Sequence, residues 1–135
     1  MIAGSCHCGA VNLSLSKLPE FINLCDCSLC LKSGGAWGYF ASIDVEIAGQ
    51  TNGYRRSDYP EPAVEMRFCS NCGTTTHWIL TEHFDGDRVG VNMRIFEPSA
   101  LDGIEARTLD GRSWQGEGDA AHRRVPGKLG CEVFL

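Results

Sequence analysis

The sequence has no apolar run near the roughly 20 consecutive residues that carry a helix across a bilayer. Its first residues, MIAGSCHCGAV, hold neither a basic segment nor an apolar stretch of signal-peptide length, so the expected location is the cytoplasm. Positive charge is also short: 12 Lys and Arg face 17 Asp and Glu, a net charge of -5. An acidic chain repels phosphate backbones, which removes nucleic acid from the expected partners, and the missing apolar run removes a membrane. No glycine-rich phosphate loop is present, and no spacing of Ser, His and Asp suggests a hydrolase triad. Nor is there a repeat, a low-complexity tract or a linker, so residues 1–135 are expected to form one domain.

Two residue types are abundant instead. The 16 glycines point to many turns, and to a chain that gains from crosslinks or metals. Eight cysteines in 135 residues are too many for chance, and in a reducing cytoplasm they should not pair as disulfides.

Apolar and polar residues alternate near Ala10 to Leu15, which predicts a strand, and Phe21 to Leu24 predicts a second. Residues 26 to 34 suit one or two helical turns ended by Gly34 and Gly35. Strands are predicted from Tyr39 to Ile47, Ala63 to Phe68, Thr75 to Leu80 and Arg88 to Met93, where Thr, Val, Ile and aromatic residues gather. A short helix is predicted at Ser99 to Asp102, between Pro98 and Gly103. Further extended chain is predicted at Ile104 to Leu109 and Cys131 to Leu135. The sum is a mainly β protein of many short strands.

The cysteines fall in groups: Cys6-His7-Cys8, Cys25-Asp26-Cys27-Ser28-Leu29-Cys30 and Cys69-Ser70-Asn71-Cys72, with Cys131 alone. In extended chain, residues two apart face the same side, so Cys6 with Cys8, and Cys25 with Cys27, can each face one ion. The C-x-x-C spacings suit tight turns that bring two thiolates to one metal. Gly9 and Gly73, directly after their groups, let the backbone turn so that amides point at sulfur. Structural zinc closes with four ligands, and Cys6, Cys8, Cys69 and Cys72 supply four from two distant segments.

Cys25, Cys27 and Cys30 remain as a set of three. Three protein ligands and one exchangeable position are the pattern of a reactive zinc. A closed site with a fourth ligand from Cys131, His7 or His77 is the alternative, as are three reduced core thiols. A divalent zinc with three thiolates carries a net negative charge, activates water poorly and suits a fourth sulfur. A thiol bound there loses its proton at neutral pH, and the thiolate is the nucleophilic form. The residues therefore suggest capture of a small thiol and its presentation to an electrophile.

These motifs resemble those of the glutathione-dependent formaldehyde-activating enzymes, the CENP-V/GFA domain family. The matching residues are Gly4-Ser5-Cys6-His7-Cys8-Gly9-Ala10-Val11, then Cys25-Asp26-Cys27-Ser28-Leu29-Cys30 with Ser33-Gly34, then Phe68-Cys69-Ser70-Asn71-Cys72-Gly73-Thr74. Val91-Asn92-Met93-Arg94 and Phe96-Glu97-Pro98 add a later segment, so the resemblance spans residues 4 to 105. It implies a β-tent type fold of small antiparallel sheets around a structural zinc held by Cys6, Cys8, Cys69 and Cys72. It implies a catalytic zinc on Cys25, Cys27 and Cys30, hence two zincs per chain. It also implies a carbon–sulfur lyase that joins glutathione and formaldehyde as S-(hydroxymethyl)glutathione. One position departs: the family often has His where this chain has Asp26. That side chain should point away from the metal, but its charge should disfavour anionic glutathione.

The remaining candidates have plainer readings. His7 should face away from its neighbours' zinc, His77 should be packed, and His83 and His122 should lie at the surface. Cys131 reads as a small buried hydrophobe. Trp37, Tyr39 and Phe40 can wall a substrate pocket or pack the core. Arg55, Arg56 and Arg94 can each grip a carboxylate, and the sequence does not choose among them. A non-catalytic module that binds zinc or glutathione, or that offers an interaction surface, is the competing reading of the whole.

Overall fold

A computed structural model describes residues 1–123 and 125–130. Cys131, and the strand predicted at 131–135, lie outside the described residues.

The chain forms a small sheet and a large one. The small sheet has the order β1 (Ile2–Ser5), β2 (Asn12–Leu15), β5 (Val45–Ala48), all antiparallel. The large sheet runs β11 (Gly127–Lys128), β10 (Glu105–Arg107), β3 (Phe21–Asn23), β4 (Trp37–Phe40), β9 (Val89–Asn92), β8 (Thr75–Leu80), β7 (Val64–Cys69), β6 (Thr51–Arg55). Its pairs are antiparallel except β3 with β10, which run parallel. One α-helix, α1 (Ser28–Ser33), joins β3 to β4. The mainly β fold expected from sequence is what forms.

Several predicted elements shift. The strand expected from Tyr39 to Ile47 is two strands in different sheets, separated by a 3-10 turn at Ser42–Asp44. The alternation of residues reads alike on either side of that turn, so the change of sheet leaves no local mark. The helix expected near Ser99 is a 3-10 turn, Pro98–Leu101. β1 and β6 escaped the sequence pattern because their side chains are mostly exposed or half-buried.

The two faces of the large sheet do different work. One face packs Ile22, Phe40, Val89 and Val91 with Val11, Leu13 and Leu15 of the small-sheet region. Burying such side chains contributes about 1.5–3 kcal/mol each. Cys6 and Cys69 belong to this cluster. The other face carries Trp37, Met66 and Trp78, with Cys25, Leu29, Cys30 and Tyr39 packed against them. Tyr39 lies opposite Gly90, and Gly90 opposite Trp78, so the Trp78 indole can cross Gly90 and reach Tyr39, 6.0 Å between ring centroids. A β-carbon at Gly90 would overlap that indole. Gly90→Val is therefore expected to lower the unfolding free energy by about 1–3 kcal/mol through overpacking. A reduced urea midpoint with a shifted tryptophan emission is the measurement.

Candidate metal centres

Two cysteine clusters form, with the memberships the spacing predicted. Cys6, Cys8, Cys69 and Cys72 place their Sγ atoms within 4.8 Å of one another, and Cys25, Cys27 and Cys30 do the same. All seven are free thiols.

The four-cysteine cluster is built from two similar turns. In the first, the Cys6 amide donates to the Val11 carbonyl at 2.9 Å and the Gly9 amide to the Cys6 carbonyl at 3.0 Å. In the second, the Cys69 amide donates to Thr74 at 2.9 Å and the Gly73 amide to Cys69 at 3.0 Å. Gly9 and Gly73 sit at φ 76° and 75°, the left-handed region that glycine enters without strain. Amides then point at sulfur: Val11 N donates to Cys6 Sγ at 3.2 Å and Asn71 N to Cys69 Sγ at 3.4 Å. The Thr74 hydroxyl joins the turns by accepting from the His7 amide at 3.3 Å and lying 3.2 Å from Cys72 Sγ. Cys72 is pushed down to about 5, first by the Thr74 side chain and then by its amide. Sγ separations of 3.6 Å (Cys6 to Cys8) and 3.7 Å (Cys8 to Cys69) are those of a tetrahedron's edge. A tetrahedral zinc with bonds near 2.3 Å has an edge of about 3.8 Å. The donor set fits a closed metal site that ties the β1–β2 turn to the β7–β8 turn.

The three-cysteine cluster lies on the opposite face of the large sheet. β3 ends at Asn23, and the chain then turns into α1. Cys27 is the N-cap of α1, its sulfur accepting from the Cys30 amide at 3.3 Å, while Gly34 at φ 69° closes the helix. All three thiols are half-buried. Cys27 is pushed down to about 2, first by the Cys25 thiol, then by Cys30, with Arg56 contributing. Cys25 and Cys30 are pushed up, chiefly by the neighbouring thiols. Three crowded sulfurs make a donor set suited to a soft cation.

Among the described residues, no fourth His, Cys, Asp or Glu joins this cluster. His77 is buried and engaged at Nδ1 by the Thr76 hydroxyl, 2.9 Å away, and burial holds it at about 4, as a neutral side chain. His7, His83 and His122 are exposed, as expected. The aromatic run divides: Trp37 and Tyr39 border the three cysteines, while Phe40 belongs to the core.

The arginines are committed. Arg55 bridges Glu65 and Glu82 at 2.9 and 2.8 Å, and Arg94 donates to the Gly34 carbonyl. Arg56 grips Asp58 at 2.7 Å, stacks on Tyr59 at 3.8 Å and donates to Ser28 Oγ at 3.1 Å. Of the three, Arg56 lies beside the cluster, as a positive charge rather than a free fork.

Asp26 is where the sequence reading needs correction. Its side chain does not add bare negative charge. One carboxylate oxygen pairs with Arg123 Nε at 2.6 Å, and the other accepts from the Arg112 amide at 3.0 Å. These contacts hold a loop, residues 108–123, against the cluster. The loop closes on itself through the Leu109–His122 bridge and the Arg123–Asp110 pair at 2.9 Å. Gly111 meets Cys25 so closely that a β-carbon there would overlap Cys25 Sγ. Nothing in the local sequence linked residues so far apart. Gly111→Val is expected to weaken metal held by the three cysteines by roughly 10–100-fold, the usual effect of disturbing a ligand's support. Chelator competition reads that affinity, with the four-cysteine centre as internal reference.

Comparison with known proteins agrees with this geometry. The profile of the glutathione-dependent formaldehyde-activating enzymes matches residues 1–107. A Halomonas elongata protein, provisionally named a glutathione-dependent formaldehyde-activating enzyme, is 34% identical over 89 residues. That alignment covers 59% of this chain and 56% of the relative, so the chain spans little more than half of the curated relative's length. A crystal structure of a Rhodobacter sphaeroides protein superposes with a TM-score of 0.60 at 27% identity, covering 76% of this chain and 97% of that one. The three cysteine motifs lie wholly within the matched span, and the chain belongs to the glutathione-dependent formaldehyde-activating enzyme family.

Proposed function

We propose that this chain is a zinc-dependent carbon–sulfur lyase. It joins glutathione, or a similar small thiol, to an aldehyde such as formaldehyde, giving S-(hydroxymethyl)glutathione, or runs the reverse. Cys25, Cys27 and Cys30 hold the zinc of the reaction. Cys6, Cys8, Cys69 and Cys72 hold a structural zinc. The observation that carries the reading is the three-thiol cluster, half-buried beside Trp37 and Tyr39, without a fourth donor among the described residues.

Bound there, zinc supplies the charge that lets a thiol lose its proton at neutral pH and stay nucleophilic. The protein's own residues do the rest. The Cys27 cap and the α1 turn fix the three sulfurs, Arg56 offsets their negative charge, and the 108–123 loop covers Cys25. Arg123 neutralises Asp26, so an anionic thiol meets less repulsion than the sequence implies.

Native mass spectrometry without chelator, with and without excess glutathione, tests the reading alongside a rate assay. The expected result is two zincs per chain, a glutathione adduct, and adduct formation with formaldehyde above the uncatalysed rate. One zinc, no adduct and a background rate overturn it in favour of a non-catalytic binding module.

A further inference from the structure

Three polar groups on the cysteine-bearing face of the large sheet keep hydrogen-bonding capacity that the described residues do not use. Residues opposite one another in antiparallel strands, and residues two apart along a strand, point to one face. Asn23 lies opposite Trp37, and Tyr39 is two residues further along β4. Cys25 is two residues beyond Asn23, and it packs on the same aromatic cluster as Tyr39. Asn23 Nδ2 donates to the Tyr39 hydroxyl oxygen at 2.7 Å. A hydroxyl whose oxygen accepts still has its hydrogen to give. Asn23 is only 6% exposed, yet its Oδ1 has no hydrogen-bond partner among the described residues. Trp37 Nε1, on a side chain 1% exposed, has none either. Trp37 Nε1 is a donor left without an acceptor and so suits an incoming oxygen, whereas Asn23 Oδ1 is an acceptor and suits a hydroxyl hydrogen such as that of a hydroxymethyl group.

We propose that the Asn23–Tyr39 pair is the aldehyde-oxygen subsite of this enzyme. The inference rests on the lyase reading above and names the group that reading lacks on the oxygen side. As the thiolate sulfur attacks the carbonyl carbon, a C–S bond forms and the C=O π pair moves onto oxygen. The Tyr39 hydroxyl donates a hydrogen bond to that oxygen, with Asn23 positioning the phenol and Trp37 Nε1 a second donor on the same face. The oxygen then takes a proton from solvent, matching the proton the thiol gave up on binding. The ligand class is a small carbonyl, or the hydroxymethyl group of the product.

The test compares wild type, Tyr39→Phe and Trp37→Phe. Tyr39→Phe keeps the ring that packs on Phe21 and Trp78, at centroid distances of 5.7 and 6.0 Å. Loss of one such donor should lower kcat on the order of a hundredfold, with metal content and glutathione affinity unchanged. A second readout needs no turnover. S-(hydroxymethyl)glutathione and S-ethylglutathione differ only in an OH for a CH3, so wild type should bind the first more tightly and Tyr39→Phe should lose that preference. Trp37→Phe should fall between. Wild-type rate and wild-type preference in Tyr39→Phe would overturn the subsite while leaving the lyase reading intact. A wild-type protein that neither binds glutathione nor forms adduct would remove that reading and the subsite together.

Discussion

Cys69→Ser is expected to leave the chain largely unfolded at neutral pH. Cys69 ends β7 and is 1% exposed within the main core cluster. Its sulfur takes an amide hydrogen bond and lies 3.7 Å from Cys8 Sγ. The cluster ties the small sheet's first turn to the large sheet's β7–β8 turn, a connection spanning more than sixty residues of chain. Structural zinc in small domains contributes an apparent 10–16 kcal/mol, about as much as or more than the 5–15 kcal/mol net stability of a whole domain. On the proposed structural-zinc reading, removing one of the four ligands opens the site and weakens that contribution, leaving Cys6, Cys8 and Cys72 without a closed donor set. Near-ultraviolet circular dichroism and zinc content should collapse together. A Cys69→Ser protein that melts cooperatively within a few degrees of wild type would show that sheet packing alone holds the fold.

Cys27→Ser should have the opposite character, a folded protein that has lost its chemistry. Cys27 caps α1 by accepting from the Cys30 amide, and serine is among the best N-cap residues, so the helix should survive. Serine does not replace the soft thiolate in a metal site. The expected variant holds one zinc, unfolds with a midpoint near wild type, binds no glutathione and joins formaldehyde to it at the background rate. Retained turnover would mean that the metal of the reaction, if any, does not depend on this cluster. The contrast between the two variants tests whether the four-cysteine cluster serves the fold and the three-cysteine cluster the reaction.

The 108–123 loop packs Gly111 against Cys25 of the second cluster. It follows the span matched by the family profile, which ends at residue 107. Its path is set by the parallel pairing of β10 with β3, carried one residue further by the Leu24 amide donating to the Arg107 carbonyl at 2.7 Å. That pairing delivers the chain beside Cys25, where Asp26 holds it through Arg112 and Arg123.

Much of this protein was determined by its sequence alone. Cysteines two or three positions apart, with glycine directly behind Cys8 and Cys72, leave few ways to fold locally, so the grouping of the cysteines was legible from spacing. The mainly β class followed from alternation and from residues that favour strands. The assignment of Trp37 and Tyr39 to the side of the three cysteines and of Phe40 to the main core needed the tertiary structure, because both settings bury aromatic rings equally well. The split between β4 and β5 needed it too, since two consecutive strands read as one until their partners are known. So did the fate of Asp26. Its charge was plain in the sequence, but Arg112 and Arg123 lie more than eighty residues away, and ion pairs form through space with no signal along the chain. Short-range geometry shaped each cysteine turn; long-range packing brought the two distant turns together and decided what surrounds both clusters.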